Sequence, residues 1–147
     1  MKRAIKFRGK SATSGKWVYG DLIHLGTGYA IVHNKGLGRS LPDEYGIALA
    51  YSESEFDVVL PDTIGQFTGL VDNNGVDIYE GDIAEQEYRF SNLPRTGVVE
   101  YSGGRFDYTY VDGYGYDDWQ LLLDAVTDEE DFVVIGNIHD NSELLNK

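Results

Sequence analysis

Thr63-Ile64-Gly65-Gln66-Phe67-Thr68-Gly69-Leu70-Val71-Asp72-Asn73-Asn74-Gly75-Val76-Asp77-Ile78-Tyr79-Glu80-Gly81-Asp82-Ile83 stands at the middle of the chain and decides its fold class. Asn73-Asn74-Gly75 is a turn signal, because Asn and Gly tolerate the positive φ that tight hairpins demand. An apolar or β-branched run lies on either side, Phe67 to Val71 before it and Val76 to Ile83 after it. The stretch therefore predicts a β-hairpin at the centre of the protein.

Working outward, the same grammar continues. Ile5 and Phe7 alternate with Lys6 and Arg8, the pattern of a half-buried strand. Ser11 to Gly15 is a turn, and Trp17-Val18-Tyr19 begins the returning strand. Tyr29 to Val32 and Phe56 to Leu60 are further strands, the latter stopped by Pro61, which has no N–H to give a ladder. Asn34 to Ser40 has loop composition, and Pro42 to Glu55 fits either a strand or one or two helical turns. Downstream, Glu85 to Arg95 is a polar loop, and Gly103-Gly104 and Gly113 to Gly115 mark turns around Phe106 to Val111. Asp117 to Ala125 has an acidic start and an apolar middle, which predicts a short helix. Asn141 to Leu145 has the look of a capped final turn.

The central run, with Gly97-Val98-Val99-Glu100-Tyr101, Gly104, Phe106 and the closing Val134 to Leu145, resembles the YopX family of phage and prophage proteins. Ile5-Lys6-Phe7-Arg8 suits it as well. The resemblance implies a small β-rich protein with an SH3-like barrel, and it implies no catalytic residues. The acidic stretch from about Asp107 to Asp131 lies outside the shared pattern. The fold expected is thus mainly β: an SH3-like β-barrel or roll, with at most short helical turns.

Four echoes run in the same order through both halves. Gly20-Asp21 answers Gly81-Asp82, Thr27-Gly28 answers Thr96-Gly97, Phe56 to Val59 answers Asp131 to Val134, and Ile64-Gly65-Gln66 answers Ile135-Gly136-Asn137. They fit a tandem duplication over residues 5–67 and 68–140, or chance recurrence of pairs common in β proteins. On either reading we divide the chain into an N-terminal β-rich unit, residues 1–62, and a C-terminal YopX-like unit, residues 63–147. Each is near the lower size limit for independent stability, so the two are expected to share one core.

Composition narrows the chemistry. The sequence has no cysteine, which excludes a disulfide framework, a thiol nucleophile and thiolate zinc sites. Met1 to Arg8 is basic without an apolar region behind it, so it is not a secretory signal, and no run is long enough to span a bilayer. A cytoplasmic protein of a bacterial host cell is expected. The net charge of −13 conceals a split. Residues 1–39 carry eight basic side chains against Asp21 alone, whereas the rest holds 4 basic and 24 acidic residues. Such asymmetry serves either a nucleic-acid-facing arm or attraction between the halves, within one molecule or between copies. The overall acidity repels phosphate and favours the second.

No constellation specifies catalysis. His24, His33 and His139 match no metal spacing, and acidic pairs such as Glu80 and Asp82 are unavoidable among 25 carboxylates. Asp82 is expected to bond a turn. The acidic run Asp128 to Asp131 and Asp72 to Gly75 both lack the calcium-loop spacing, and no phosphate-binding loop is present. The unusual segment is Phe106 to Trp119, with six aromatics in fourteen residues. Phe106, Tyr108 and Tyr110 alternate and are expected in the core. Tyr114, Tyr116 and Trp119, flanked by Gly and Asp, are the candidate partner-binding residues, because Tyr and Trp give large contact area at low entropic cost.

The preferred function is a phage-derived, non-enzymatic module that binds a protein of host or phage, or a second copy of itself, with no cofactor and no membrane. An acidic imitation of DNA that occupies a host protein is a variant of it. The alternatives are a nucleic-acid-associated accessory protein using residues 1–39, which is less favoured, and an enzyme using a carboxylate pair.

Overall fold

Short strands follow one another from Phe7 to Asn137 in the computed structural model, which describes residues 4–33, 55–90, 92–112, 114–128 and 131–146. The readings made for 34–54 lie outside them. The chain forms two compact units, Lys2–Gln66 and Phe67–Lys147.

In the N-terminal unit, β1 (Phe7–Lys10), β2 (Trp17–Leu25), β3 (Gly28–His33) and β4 (Glu55–Val59) make an antiparallel sheet in the order β4-β3-β2-β1. The first residues of β5 (Gly65–Val71) join β1, with Phe7 opposite Gln66. A two-residue turn links Leu25 and Gly28. Ala30, Ile31, Val32 and Val59 are buried, within the strands predicted over Tyr29 to Val32 and Phe56 to Leu60. Pro61 to Thr63 form a 3-10 turn, and the Thr63 hydroxyl accepts the Lys10 amide at 2.8 Å.

In the C-terminal unit, the rest of β5 pairs with β6 (Asp77–Tyr79) across the predicted hairpin. The run Val76 to Ile83 is not one strand, however. It breaks at Glu80-Gly81, where Asp82 Oδ2 accepts the Tyr79 amide at 2.8 Å, and β7 (Asp82–Gln86) starts beyond. The expected turn bond of Asp82 is this one. β8 (Arg95–Ser102), β9 (Arg105–Val111), β10 (Asp117–Leu121) and β11 (Phe132–Asn137) complete a second antiparallel sheet, ordered β10-β9-β8-β7-β11.

The expected barrel does not close: among the described residues, β10 and β11 end the order without pairing. The reason lies between them. β10 runs directly into the helix α1 (Leu122–Thr127), whose Leu122 and Ala125 are buried with Phe132. The predicted helix over Asp117 to Ala125 is thus corrected in its first half. Gln120 reaches Gln86 Oε1 through Nε2 at 2.7 Å, and Asp117 to Leu121 pair with β9 instead of capping a helix.

The core of this unit gathers Ile78, Ala84, Val99, Tyr108, Tyr110, Leu122, Ala125 and Phe132, with Phe106 packed against it. The alternation of Phe106, Tyr108 and Tyr110 toward the core is as predicted. Tyr108 meets Phe132 edge-on at 5.0 Å, and its hydroxyl donates to the Ala84 and Arg95 carbonyls, each at 3.1 Å. Such a ring contact adds about 1 kcal/mol beyond area burial. Two of the four echoed pairs fall at unlike places, Gly20-Asp21 within β2 against Gly81 in a turn and Thr27 in a turn against Thr96 within β8, whereas Phe56 to Val59 and Phe132 to Val134 both lie in strands. The final turn, Ser142–Leu145, forms without a side-chain cap, since Asn141 Oδ1 accepts the Asn137 amide instead.

Candidate functional site

Two turns in the C-terminal unit have the same construction. Asp72 Oδ1 accepts the amides of Asn74 and Val76 at 2.8 and 2.9 Å, and Asp112 Oδ1 accepts those of Tyr114 and Tyr116, both at 2.9 Å. In each, the Asp amide donates to the fifth residue's carbonyl and the glycine amide donates back to the Asp carbonyl. Gly75 and Gly115, at φ 79° and 86°, close the two loops in the left-handed region that side chains resist. One local rule, Asp-x-x-Gly-x, thus fixes both loops.

Their surroundings differ. The first turn is tied to β11. Asp72 Oδ2 accepts the Val134 amide at 2.9 Å, Asn73 exchanges its amide and Oδ1 with the Phe132 carbonyl and amide, and Asn73 Nδ2 reaches Asp131. Asn137 Oδ1 likewise accepts the amides of His139 and Asp140, each at 3.0 Å, so these two sit in a turn rather than on a strand. The polar residues of the family-like pattern hold main chain together.

The second turn carries side chains into solvent. Tyr114 is 90% exposed, Tyr116 72% and Trp119 52%. Trp119 follows on β10, opposite Thr109 of β9, which lies opposite Val98 of β8. The same outer face holds Glu100, Asp107 and Asp117 by strand alternation. Arg105 Nε bonds Asp107 Oδ1 at 2.9 Å, and its guanidinium carbon lies 4.4 Å from the centre of the Trp119 ring. A shallow depression of about 310 Å³ opens here, lined by Glu100, Arg105, Asp107, Thr109, Asp117 and Trp119 among others. On the opposite side of the sheet, Arg95 lies against the rings of Tyr88 and Tyr110 at 3.6 and 4.5 Å.

All three predicted contact residues are therefore on the surface of one hairpin and its edge strand. Sequence reasoning missed Arg105, Asp107, Glu100 and Asp112. The repeated Asp-x-x-Gly at 72–75 and 112–115 is the signal that points to Asp112; nothing local in the sequence marks Arg105 as the neighbour of Trp119.

The histidines are dispersed. His24 stacks on Tyr29 at 4.7 Å, and His33 Nε2 bonds Asp57 Oδ2 at 2.7 Å. Ser11 also donates to Asp57, at 3.3 Å. The carboxylate stands between serine and histidine, so the histidine cannot take the serine proton. Ser11 Oγ instead accepts the amides of Thr13 and Ser14, as a turn residue does. Among the described residues, no three His, Asp or Glu side chains group as metal ligands, and no helix is long and apolar enough to cross a membrane.

A chain of short antiparallel strands whose signature residues brace turns is a small, mainly β protein by class. The protein belongs to the YopX protein family, whose model matches residues 6–146. It is similar in fold to the crystal structure of protein EF1440 from Enterococcus faecalis, at 23% identity and a TM-score of 0.51, covering 98% of this chain and 99% of that one. No curated protein matches it.

Proposed function

We propose that the protein is a phage- or prophage-derived accessory module that acts by protein contact and not by catalysis. The observation that carries this reading is the Asp112 turn, which holds Tyr114 and Tyr116 in solvent beside Trp119. A turn whose main chain is already fixed saves the cost of ordering a loop on binding, and Tyr and Trp dominate contact hot spots. The use of Asp72, Asn73, Asp82 and Asn137 on main-chain bonds supports the non-enzymatic half.

A tagged chain incubated with bacterial lysate, with and without nuclease, tests it. A stoichiometric protein should survive nuclease and be lost with Tyr114→Ala, Tyr116→Ala and Trp119→Ala combined, by about 2 kcal/mol or more in affinity. Retention by the triple variant sinks the reading.

A second reading has its own observation. Lys10 lies over the Trp17 ring at 5.5 Å, both half-buried, with the buried Arg8 guanidinium 4.7 Å from the same ring, a basic and aromatic grouping of the kind that binds nucleic acid. Recovery of nucleic acid, or of proteins lost on nuclease treatment, would move the function there.

A further inference from the structure

The outer face of β8, β9 and β10 has an imbalance of charge around an aromatic ring. Glu100, Asp107, Asp117 and Asp118 line the depression beside Trp119, against Arg105 alone. Glu100 Oε2 is bonded by the Thr109 hydroxyl at 3.3 Å, and Asp118 by the Tyr110 hydroxyl and the Trp119 amide. None of these bonds brings a positive charge. Among the described residues, Asp107, only 6% exposed, is the one carboxylate of the four that meets a cation.

That cation shows what the face accepts. Arg105 lays its guanidinium against the indole while its Nε bonds a carboxylate. The planar, weakly hydrated guanidinium combines stacking with directed hydrogen bonds, whereas a lysine ammonium offers only a point charge. With Arg105 in place, Glu100, Asp117 and the open side of the depression present the same chemistry to a second guanidinium. The strands are antiparallel and β10 ends the sheet order, so an extended segment can lie along the hairpin. Tyr114 and Tyr116 at its tip give that segment further apolar contact.

We infer that this face docks an extended, arginine-bearing polypeptide segment of the partner, with a guanidinium entering the depression between Trp119, Glu100 and Asp117. The inference rests on the contact reading above and specifies the partner's chemistry. The sign of the charge excludes a nucleic-acid backbone at this face.

The test uses the full chain labelled with ¹⁵N and a synthetic peptide of repeated Ser-Arg-Gly. Its control replaces each arginine by citrulline, which keeps the shape and removes the charge. The chain has two tryptophans, so the indole N–H signals of Trp17 and Trp119 report separately, and a Trp17→Phe variant assigns them. The Trp119 signal should move with the arginine peptide and stay still with the citrulline peptide. Binding should weaken at least about fivefold when Glu100→Gln and Asp117→Asn are combined, two exposed positions where the change leaves the core untouched. It should also weaken as salt is raised.

An equal response to citrulline, movement of Trp17 alone, or no movement of Trp119 at millimolar peptide overturns the inference. So does sedimentation showing that the chain dimerises in a Trp119-dependent way, since the occupant would then be a second copy. A lysate partner that is lost with the aromatic triple variant but kept by the Glu100→Gln and Asp117→Asn variant overturns the arginine assignment alone and leaves the contact reading standing.

Discussion

Gly97 shows how a single missing side chain can fix the packing of a sheet. It sits on β8 opposite Tyr110, with a neck of space set by the neighbouring Tyr108. A Cβ built there would lie 2.4 Å from the Thr109 carbonyl oxygen and 2.7 Å from the Tyr108 ring. Neither can retreat, because Tyr108 is fully buried and its hydroxyl is held by two carbonyls. Overpacking of this kind costs about 3 kcal/mol. We expect Gly97→Ala to lower the urea midpoint accordingly, while Gly28→Ala, whose nearest neighbour would be 3.9 Å away, stays within about 0.5 kcal/mol. Equal effects at the two sites would refute the close-approach account. Nothing in Thr96-Gly97-Val98-Val99 announces this role, since the constraint comes from β9 across the sheet.

At the scale of elements, the hairpin between β9 and β10 depends on one carboxylate oxygen. Asp112 Oδ1 holds the amides of Tyr114 and Tyr116, and removing it leaves the turn to Gly115 and the closing main-chain bonds alone. Asp112→Ala should raise the hydrogen-exchange rates of the Tyr114 and Tyr116 amides about tenfold, at a cost near 1 kcal/mol. The Tyr108 amide should be unaffected, and unchanged exchange at the two turn amides would show that the carboxylate does not rigidify the loop. Asn-Gly at 74–75 and Gly-Tyr-Gly at 113–115 made both turns legible, because turn chemistry is local. Strand alternation likewise placed Tyr108 and Tyr110 inside. The helix boundary was not legible: Asp117-Asp118 resembles a cap, but pairing with β9 and the Gln120–Gln86 bond hold the segment in a strand, and tertiary contacts outweigh the local preference.

For the whole molecule, the strand content and hairpin order follow from patterns every few residues, whereas closure of a barrel depends on which strands meet at long range. That depends on α1 packing Leu122 and Ala125 beside Phe132, which no short motif encodes. The candidate face was half legible for the same reason: Tyr114, Tyr116 and Trp119 share one stretch, but Glu100 and Arg105 join them only through the β8–β9 register. The same packing gives the protein a defined response to alkali. Burial raises the Tyr108 phenol above its ordinary value of 10.0, with the Arg95 charge opposing, and burial raises Tyr110 in the same direction. Both rings are neutral in the folded chain when their unfolded counterparts begin to ionise. Their contribution to stability is therefore fully present below about pH 10 and is lost as pH rises beyond it, with a slope of at most about 1.4 kcal/mol per pH unit for each ring. Urea midpoints measured from pH 8 to 11.5 should stay level with respect to these groups and then fall above pH 10. Tyr108→Phe should flatten the alkaline limb by up to one proton's worth while lowering stability at neutral pH by about 1 kcal/mol through loss of the hydroxyl bonds. An alkaline limb of unchanged steepness in that variant would mean that Tyr108 ionises in the folded state as readily as in the unfolded one, and that the ring is not sealed in the core.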